Sequence, residues 1–155
     1  MAKAYAIISG KGGVGKTTSA INLATSLNYL GENSIVVDGN LTTPNVGIHL
    51  GAPVVPITLN HVLKNDAKLE DAIYEHESGT MVLPASLSLR ETEKIDDKKF
   101  SEIIKKVKKI ADFIFIDSAA GIGEEVSSII SASDEIIIVT NPEISAVTDA
   151  LKAVK

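Results

Sequence analysis

Eight residues near the start of the chain, Gly10-Lys11-Gly12-Gly13-Val14-Gly15-Lys16-Thr17, restrict its fold more than any other stretch. They satisfy the pattern of glycine, four free positions, glycine, lysine and then serine or threonine. An apolar run at residues 5–9 precedes them. Residues 17–30 follow with helical period, Ala20, Ile21, Ala24, Leu27 and Leu30 recurring at three- and four-residue steps. A strand, a glycine loop and a helix in that order form a cradle for phosphate. Glycines let the backbone turn its N–H groups onto phosphate oxygens, and the helix start adds partial positive charge at the same place. In such a loop Lys16 reaches the β- and γ-phosphates and the Thr17 hydroxyl ligates Mg²⁺. The alternative is a glycine-rich turn that holds nothing.

The rest of the chain alternates apolar runs with helical segments. Residues 34–38 (SIVVD), 81–84, 112–117 (DFIFID) and 135–140 (EIIIVT) read as further strands. Residues 98–110 read as a helix with Phe100, Ile103, Ile104, Val107 and Ile110 on one face, residues 124–132 as another, and a last helix begins near Ser145 and continues to the end of the chain. Gly31 stands where a helix C-terminal glycine belongs. Such alternation predicts an α/β fold, a mostly parallel sheet with helices on both faces. The strands are nearly continuous in apolar residues, as strands buried on both sides must be. Residues 39–79, with Pro44, Pro53 and Pro56, resist assignment. No internal repeat or linker divides the 155 residues, which suit one domain, 1–155.

Residues 11–18, from Lys11 to Thr18, resemble the deviant phosphate-loop motif of the MinD/ParA family of ATPases, which carries a second lysine early in the loop. Asn22-Leu23-Ala24 continues the likeness into the helix. The resemblance implies that Lys11 crosses a dimer interface to the partner's phosphates, and that Gly10, Lys11, Gly12, Gly13, Val14, Gly15, Lys16, Thr17 and Thr18 surround ATP or ADP. Read as a plain loop residue, Lys11 is a solvated lysine.

Two strands end in aspartate, Asp38 and Asp117, and ligands of open parallel sheets bind at the carboxyl ends of strands. Asp117-Ser118-Ala119-Ala120-Gly121 resembles the family's Walker B and switch II segment, with Ala119 where proline is usual. By that resemblance Asp117 holds Mg²⁺ and the Gly121 N–H senses the γ-phosphate. Asp117 could equally be a turn residue at a strand end. Asp38-Gly39-Asn40 resembles switch I, whose pattern is Asp-x-Asp. Here Asn40 replaces the second carboxylate, which in the family positions or activates water. An amide orients water but takes no proton, so binding is expected to survive and hydrolysis is put in doubt. Asn40 could also be an ordinary turn residue. Thr140-Asn141-Pro142-Glu143 is similar to a MinD-type segment near the dimer and partner surface.

The resemblance implies a P-loop fold with strand order 3-2-4-1-5, lacking the family's C-terminal strands. It leaves the fifth strand an apolar edge of the kind that invites pairing, so that strand is expected to be paired or covered by a symmetry mate, a swapped element or the terminal helix from Ser145. The implied function is that of an ATP·Mg²⁺-binding ATPase that forms a homodimer with ATP. It would regulate cellular position, for instance of the division site, through protein partners at the switch loops and residues 141–143. A nucleotide-gated module that does not hydrolyse, and a ParA-like DNA-partitioning ATPase, are the alternatives. The net charge of −5 argues against nucleic acid as a partner. Without cysteine the chain has no disulfide, thiolate metal site or iron–sulfur ligand, which fits a cytoplasmic setting. Longer members carry an amphipathic C-terminal membrane helix. No such segment is found in this chain, and no membrane binding by it is expected. His49, His61 and His76 are too scattered for a metal site, and Lys105, Lys106, Lys108 and Lys109 read as the wet face of a helix.

Overall fold

The computed structural model describes residues 1–88, 96–121 and 123–153. Six strands form one sheet: β1 (Lys3–Ile8), β2 (Ser34–Asp38), β3 (Tyr74–Glu75), β4 (Met81–Leu83), β5 (Phe113–Asp117) and β6 (Glu135–Ile138). Their order is β3-β4-β2-β5-β1-β6. All neighbours are parallel except β3 and β4. The expected order 3-2-4-1-5 is thus met by β4, β2, β5, β1 and β6, and β3 is an addition at one edge. The short β3 escaped the sequence reading because two residues carry no period. Its hairpin is closed by the His76 N–H on Thr80 O and the Gly79 N–H on His76 O.

Strand period divides the core into two layers. Ile35, Val37, Ile114 and Ile116 face one side, with Phe100, Ile103, Ile104 and Val107 of α4 (Asp97–Val107) and Val126 and Ile129 of α5 (Glu124–Ala132). Val36, Phe115 and Ile7 face the other, with Ala20 and Ala24 of α1 (Lys16–Tyr29) and Val46 of α2 (Val46–His49). Tyr5 stacks on Phe115 on this second side, at 5.4 Å between ring centres. Small alanines let α1 approach the sheet. Helix α4 begins at Asp96, whose carboxylate accepts the N–H groups of Lys98 and Lys99. It ends at Val107, earlier than the apolar spacing suggested, so Ile110 falls beyond the helix and is 38% exposed.

A short helix α3 (Leu59–Lys64) and α6 (Ile144–Ala153) complete the chain. Residues 154 and 155, at the end of the expected last helix, lie outside the described residues. Helix α6 packs on the glycine loop: a Cβ on Gly10 would lie 2.6 Å from Asp149, so only glycine fits there. The expectation that the fifth strand be covered is not met within the chain, because β6 pairs with β1 alone among the described residues and Ile136 is 47% exposed. Among the described residues no helix is long and apolar enough to cross a membrane.

Phe100 is fully buried in the larger layer. Phe100→Ala is expected to cost about 3–5 kcal/mol of stability, read as a lower urea midpoint with an unchanged slope. A loss under about 1 kcal/mol would mean that the α4 layer is not packed as described.

Candidate functional site

The glycine loop leaves β1 and enters α1 through Gly15, whose φ of 100° lies where side chains are rarely tolerated. The first turn of α1 has no capping side chain and no acid. Its N–H groups therefore stand open at the positive end of a 14-residue helix, the arrangement that receives an anion. Gly10, Lys11, Gly12, Gly13, Val14, Gly15, Lys16, Thr17 and Thr18 all fall in this loop and its helix start, as expected.

Lys16 is buried, 8% exposed, and its ammonium donates to the Ser9 hydroxyl at 3.0 Å. Burial holds its pKa below the ordinary lysine value, against the attraction of Asp117. The carboxylates sit in register on adjacent strands, Asp38 of β2 opposite Asp117 of β5. Both share the strand parity of Val36 and Phe115, so both belong to the α1 side of the sheet. Both are fully buried. Thr17 donates its hydroxyl to Asp117 Oδ2. Asp117 Oδ1 has no hydrogen-bond partner among the described residues. Burial pushes the Asp117 carboxyl up, opposed by the Thr17 hydroxyl, the Lys16 ammonium, His49 and the Ser118 N–H.

An unpartnered buried carboxylate oxygen is costly, and a cation removes the cost. Thr17 and Asp117 are a hydroxyl and a carboxylate side by side at the mouth of an anion site. That donor set fits Mg²⁺, which takes one or two protein oxygens and completes its shell with phosphate and water. No group of three or more histidines, cysteines or acids that could hold a metal occurs among the described residues, so a cage built from protein alone is absent there.

Asp38 orders the loop that follows β2. Its Oδ1 accepts the Asn40 N–H at 3.2 Å, and its Oδ2 accepts those of Asn45 and Val46 at 3.0 Å each. Its pKa is pushed up to about 7, first by burial and then by the Asp117 charge, against these three amides. Asn40 is buried and closes the same loop on itself. Its Nδ2 donates to Thr43 O at 2.7 Å, and its Oδ1 accepts the Thr43 N–H at 3.0 Å. In this structure Asn40 therefore serves as the turn residue that the sequence left as an alternative. Glu125 was not foreseen. From the first turn of α5 it accepts the Leu41 N–H at 2.6 Å and the Thr42 hydroxyl at 3.3 Å, tying the loop after β2 to the helix after β5. No motif marked it, because both partners are remote in sequence and one is a backbone group.

Lys11 and Glu143 form an ion pair at 3.2 Å with both side chains half exposed, a contact of little energy in water. It brings the early loop lysine to the 141–143 segment within one chain. The Gly121 N–H donates to Ser9 O at 3.0 Å.

The pH response follows from Asp38. An unfolded aspartate titrates near about 4, whereas Asp38 in the fold titrates at about 7. Between these values the folded chain keeps a proton that the unfolded chain has released. Stability therefore falls as pH rises through that window and levels off above it. Thermal melts in metal-free and nucleotide-free buffer should show this decline, and Asp38→Asn should flatten it. An unaltered slope in Asp38→Asn would assign the titration elsewhere.

The model of the family described as an AAA domain matches residues 2–154. An uncharacterised ATP-binding protein of Methanocaldococcus jannaschii is 42% identical over 154 residues, covering 99% of this chain and 58% of that protein. The structure of the septum site-determining protein MinD from Pyrococcus horikoshii, complexed with Mg-ADP, superposes with a TM-score of 0.91 at 44% identity, over 98% of this chain and 63% of that one. The MinC:MinD cell division complex of Aquifex aeolicus gives 0.87 at 32% identity, over 98% and 62%. The chain thus spans less than two thirds of the length of each of these proteins.

Proposed function

Because the chain belongs to the MinD/ParA family of P-loop ATPases, we propose that it binds ADP and ATP with Mg²⁺ on residues 10–18 and acts as a MinD-like, ATP-dependent regulator of cellular position. The observation that carries the reading is Asp117 Oδ1, buried beside Thr17 and Lys16 at an uncapped helix start and without a hydrogen-bond partner among the described residues. In this reading α1 N–H groups and Lys16 bind the phosphates, and Thr17 and Asp117 hold Mg²⁺. The metal would supply charge neutralisation at the β- and γ-oxygens. Lys11 reaches the phosphates of a second copy once its pair with Glu143 opens, which makes ATP the condition for a homodimer. The loops after β2 and β5 and the segment at 141–143 present the state of the site to protein regulators. The MinC:MinD complex of a relative supports a protein partner of this kind.

Asn40 favours a second reading, a nucleotide-gated module that hydrolyses slowly or not at all. Its amide is fully engaged with Thr43, and it has no basic oxygen to offer water. Asp38 stands behind it with both oxygens committed to loop N–H groups.

Three variants separate the roles. Lys16→Ala removes the buried cation and should abolish binding of Mg·ADP by calorimetry. Lys11→Ala should bind ADP like the parent and fail to dimerise with ATP in sedimentation. Retained binding in the first variant, or retained dimers in the second, would overturn these assignments. Asn40→Asp loses the two Nδ2 bonds to Thr43, so it should be less stable by about 1–2 kcal/mol while releasing phosphate faster than the parent. Equal turnover would show that the side chain at position 40 does not activate water.

A further inference from the structure

Residues 39–42 are seated on one face of α5. A Cβ on Gly39 would lie 2.7 Å from Ile129 Cδ1 and 2.9 Å from Asp117 O, so the chain passes there in close contact and no side chain fits. One turn earlier on the same face of the helix, Glu125 accepts the Leu41 N–H at 2.6 Å with Oε1 and the Thr42 hydroxyl at 3.3 Å with Oε2. Position 40 is thus bracketed by two contacts with α5, Gly39 on Ile129 and Leu41 on Glu125. The turn is also closed from within, by Asn40 Nδ2 on Thr43 O and the Thr43 N–H on Asn40 Oδ1, and Glu125 grips the two residues between them. The other acceptor near the Leu41 N–H is Gly39 O at 3.2 Å, which belongs to the same turn and cannot tie it to the rest of the fold.

We infer that Glu125 is a positioning residue for the side chain at position 40: its two oxygens fix residues 41 and 42 on α5 and so set where residue 40 stands beside Asp38. The inference rests on the reading above, in which the side chain at position 40 acts on water, and deepens it. With asparagine at 40 the inner closure shares the task. With aspartate there the bonds to Thr43 O are lost, and more of the task falls to Glu125. Mg·ADP is bound by residues 10–18 in the same reading, and the bonds of Glu125 reach none of them. Nucleotide affinity is therefore a separate measure from turnover. Glu125 also stands in the first turn of α5, where the positive end of a helix favours any acid. Reach separates the two roles. Glu125→Asp keeps the charge at the helix start and shortens the side chain by a methylene. Glu125→Gln gives up the charge and keeps the length, with a carbonyl for the Leu41 N–H and an amide for the Thr42 hydroxyl oxygen.

The experiment follows phosphate release from Mg·ATP by the 155-residue chain carrying Asn40→Asp, alone and with each change at 125, alongside calorimetry with Mg·ADP. Adding Glu125→Asp should lower kcat about tenfold or more, at unchanged KM and unchanged Kd for Mg·ADP, because a displaced water-activating group loses rate and not binding. Adding Glu125→Gln should keep kcat within about twofold of the Asn40→Asp chain. Thr42→Val removes one of the two bonds without altering α5. It should slow release in the same direction, and it decides the question should Glu125→Asp not fold. An acid that merely favours the helix start would give the reverse order, with Asp harmless and Gln the slower. That order, or equal rates in all the folded variants, would overturn the inference while leaving the nucleotide reading intact. An Asn40→Asp chain that binds Mg·ADP and releases phosphate no faster than the parent would overturn it together with the role of position 40. A parent chain that binds no Mg·ADP would overturn the nucleotide reading as well.

Discussion

The part-buried contact between Thr17 and Asp117 joins the two halves on which everything else depends. Thr17 lies in the first turn of α1, and Asp117 closes β5, one hundred residues later. The β1-β5 and β2-β5 pairings place the aspartate where the helix begins, so the sheet and the glycine loop define one point in space. Two carboxylates and an ammonium are out of water there, and burial strains the charged form of each. Such a concentration of desolvated charge is expensive for a chain this size. It is offset in part by loop N–H groups on Asp38 and by the Thr17 hydroxyl on Asp117. What is left over, the bare Oδ1 and the uncapped helix start, is a deficit of one cation and one anion. A magnesium nucleotide carries both.

How far the residues alone revealed this differs from element to element. The central strands were legible because parallel strands covered on both faces must be apolar along their whole length, as in SIVVD and FIFID. The loop was legible because each of its residue types has a separate physical reason to be there. The segment at 39–79 was not. Its order comes from single side chains reaching backbone groups: Asp38 to residues 45 and 46, Asn40 to Thr43, and the Tyr74 hydroxyl to Ile57 O at 2.9 Å. Such bonds have no period and leave no pattern. Ile110 shows the opposite failure. Its spacing from Val107 was right for a buried face, but the helix had ended at Val107.

Asn40 marks where the family resemblance and the local chemistry part. The resemblance expects a carboxylate that faces water, whereas the structure holds an amide whose two ends close a turn on Thr43. A carboxylate could still accept the Thr43 N–H but would lose the bond to Thr43 O, since it has no N–H to donate. The substitution therefore does more than remove a base. It replaces a residue that would repel the buried Asp38 charge with one that stiffens the loop.

The loops after β2 and β5 are held by different kinds of contact. The first is fixed from within by Asp38 and Asn40, and tied to α5 by Glu125. The second is held at Ser118, whose hydroxyl donates to Ile7 O at 2.8 Å, and at Gly121, whose N–H donates to Ser9 O at 3.0 Å. The first loop is thus fixed by its own side chains, and the second by backbone carbonyls at the end of β1. Glu125, four residues past Gly121, accepts the Leu41 N–H and the Thr42 hydroxyl, so the helix that follows the second loop is also the anchor of the first, and the two sides of the site share one support.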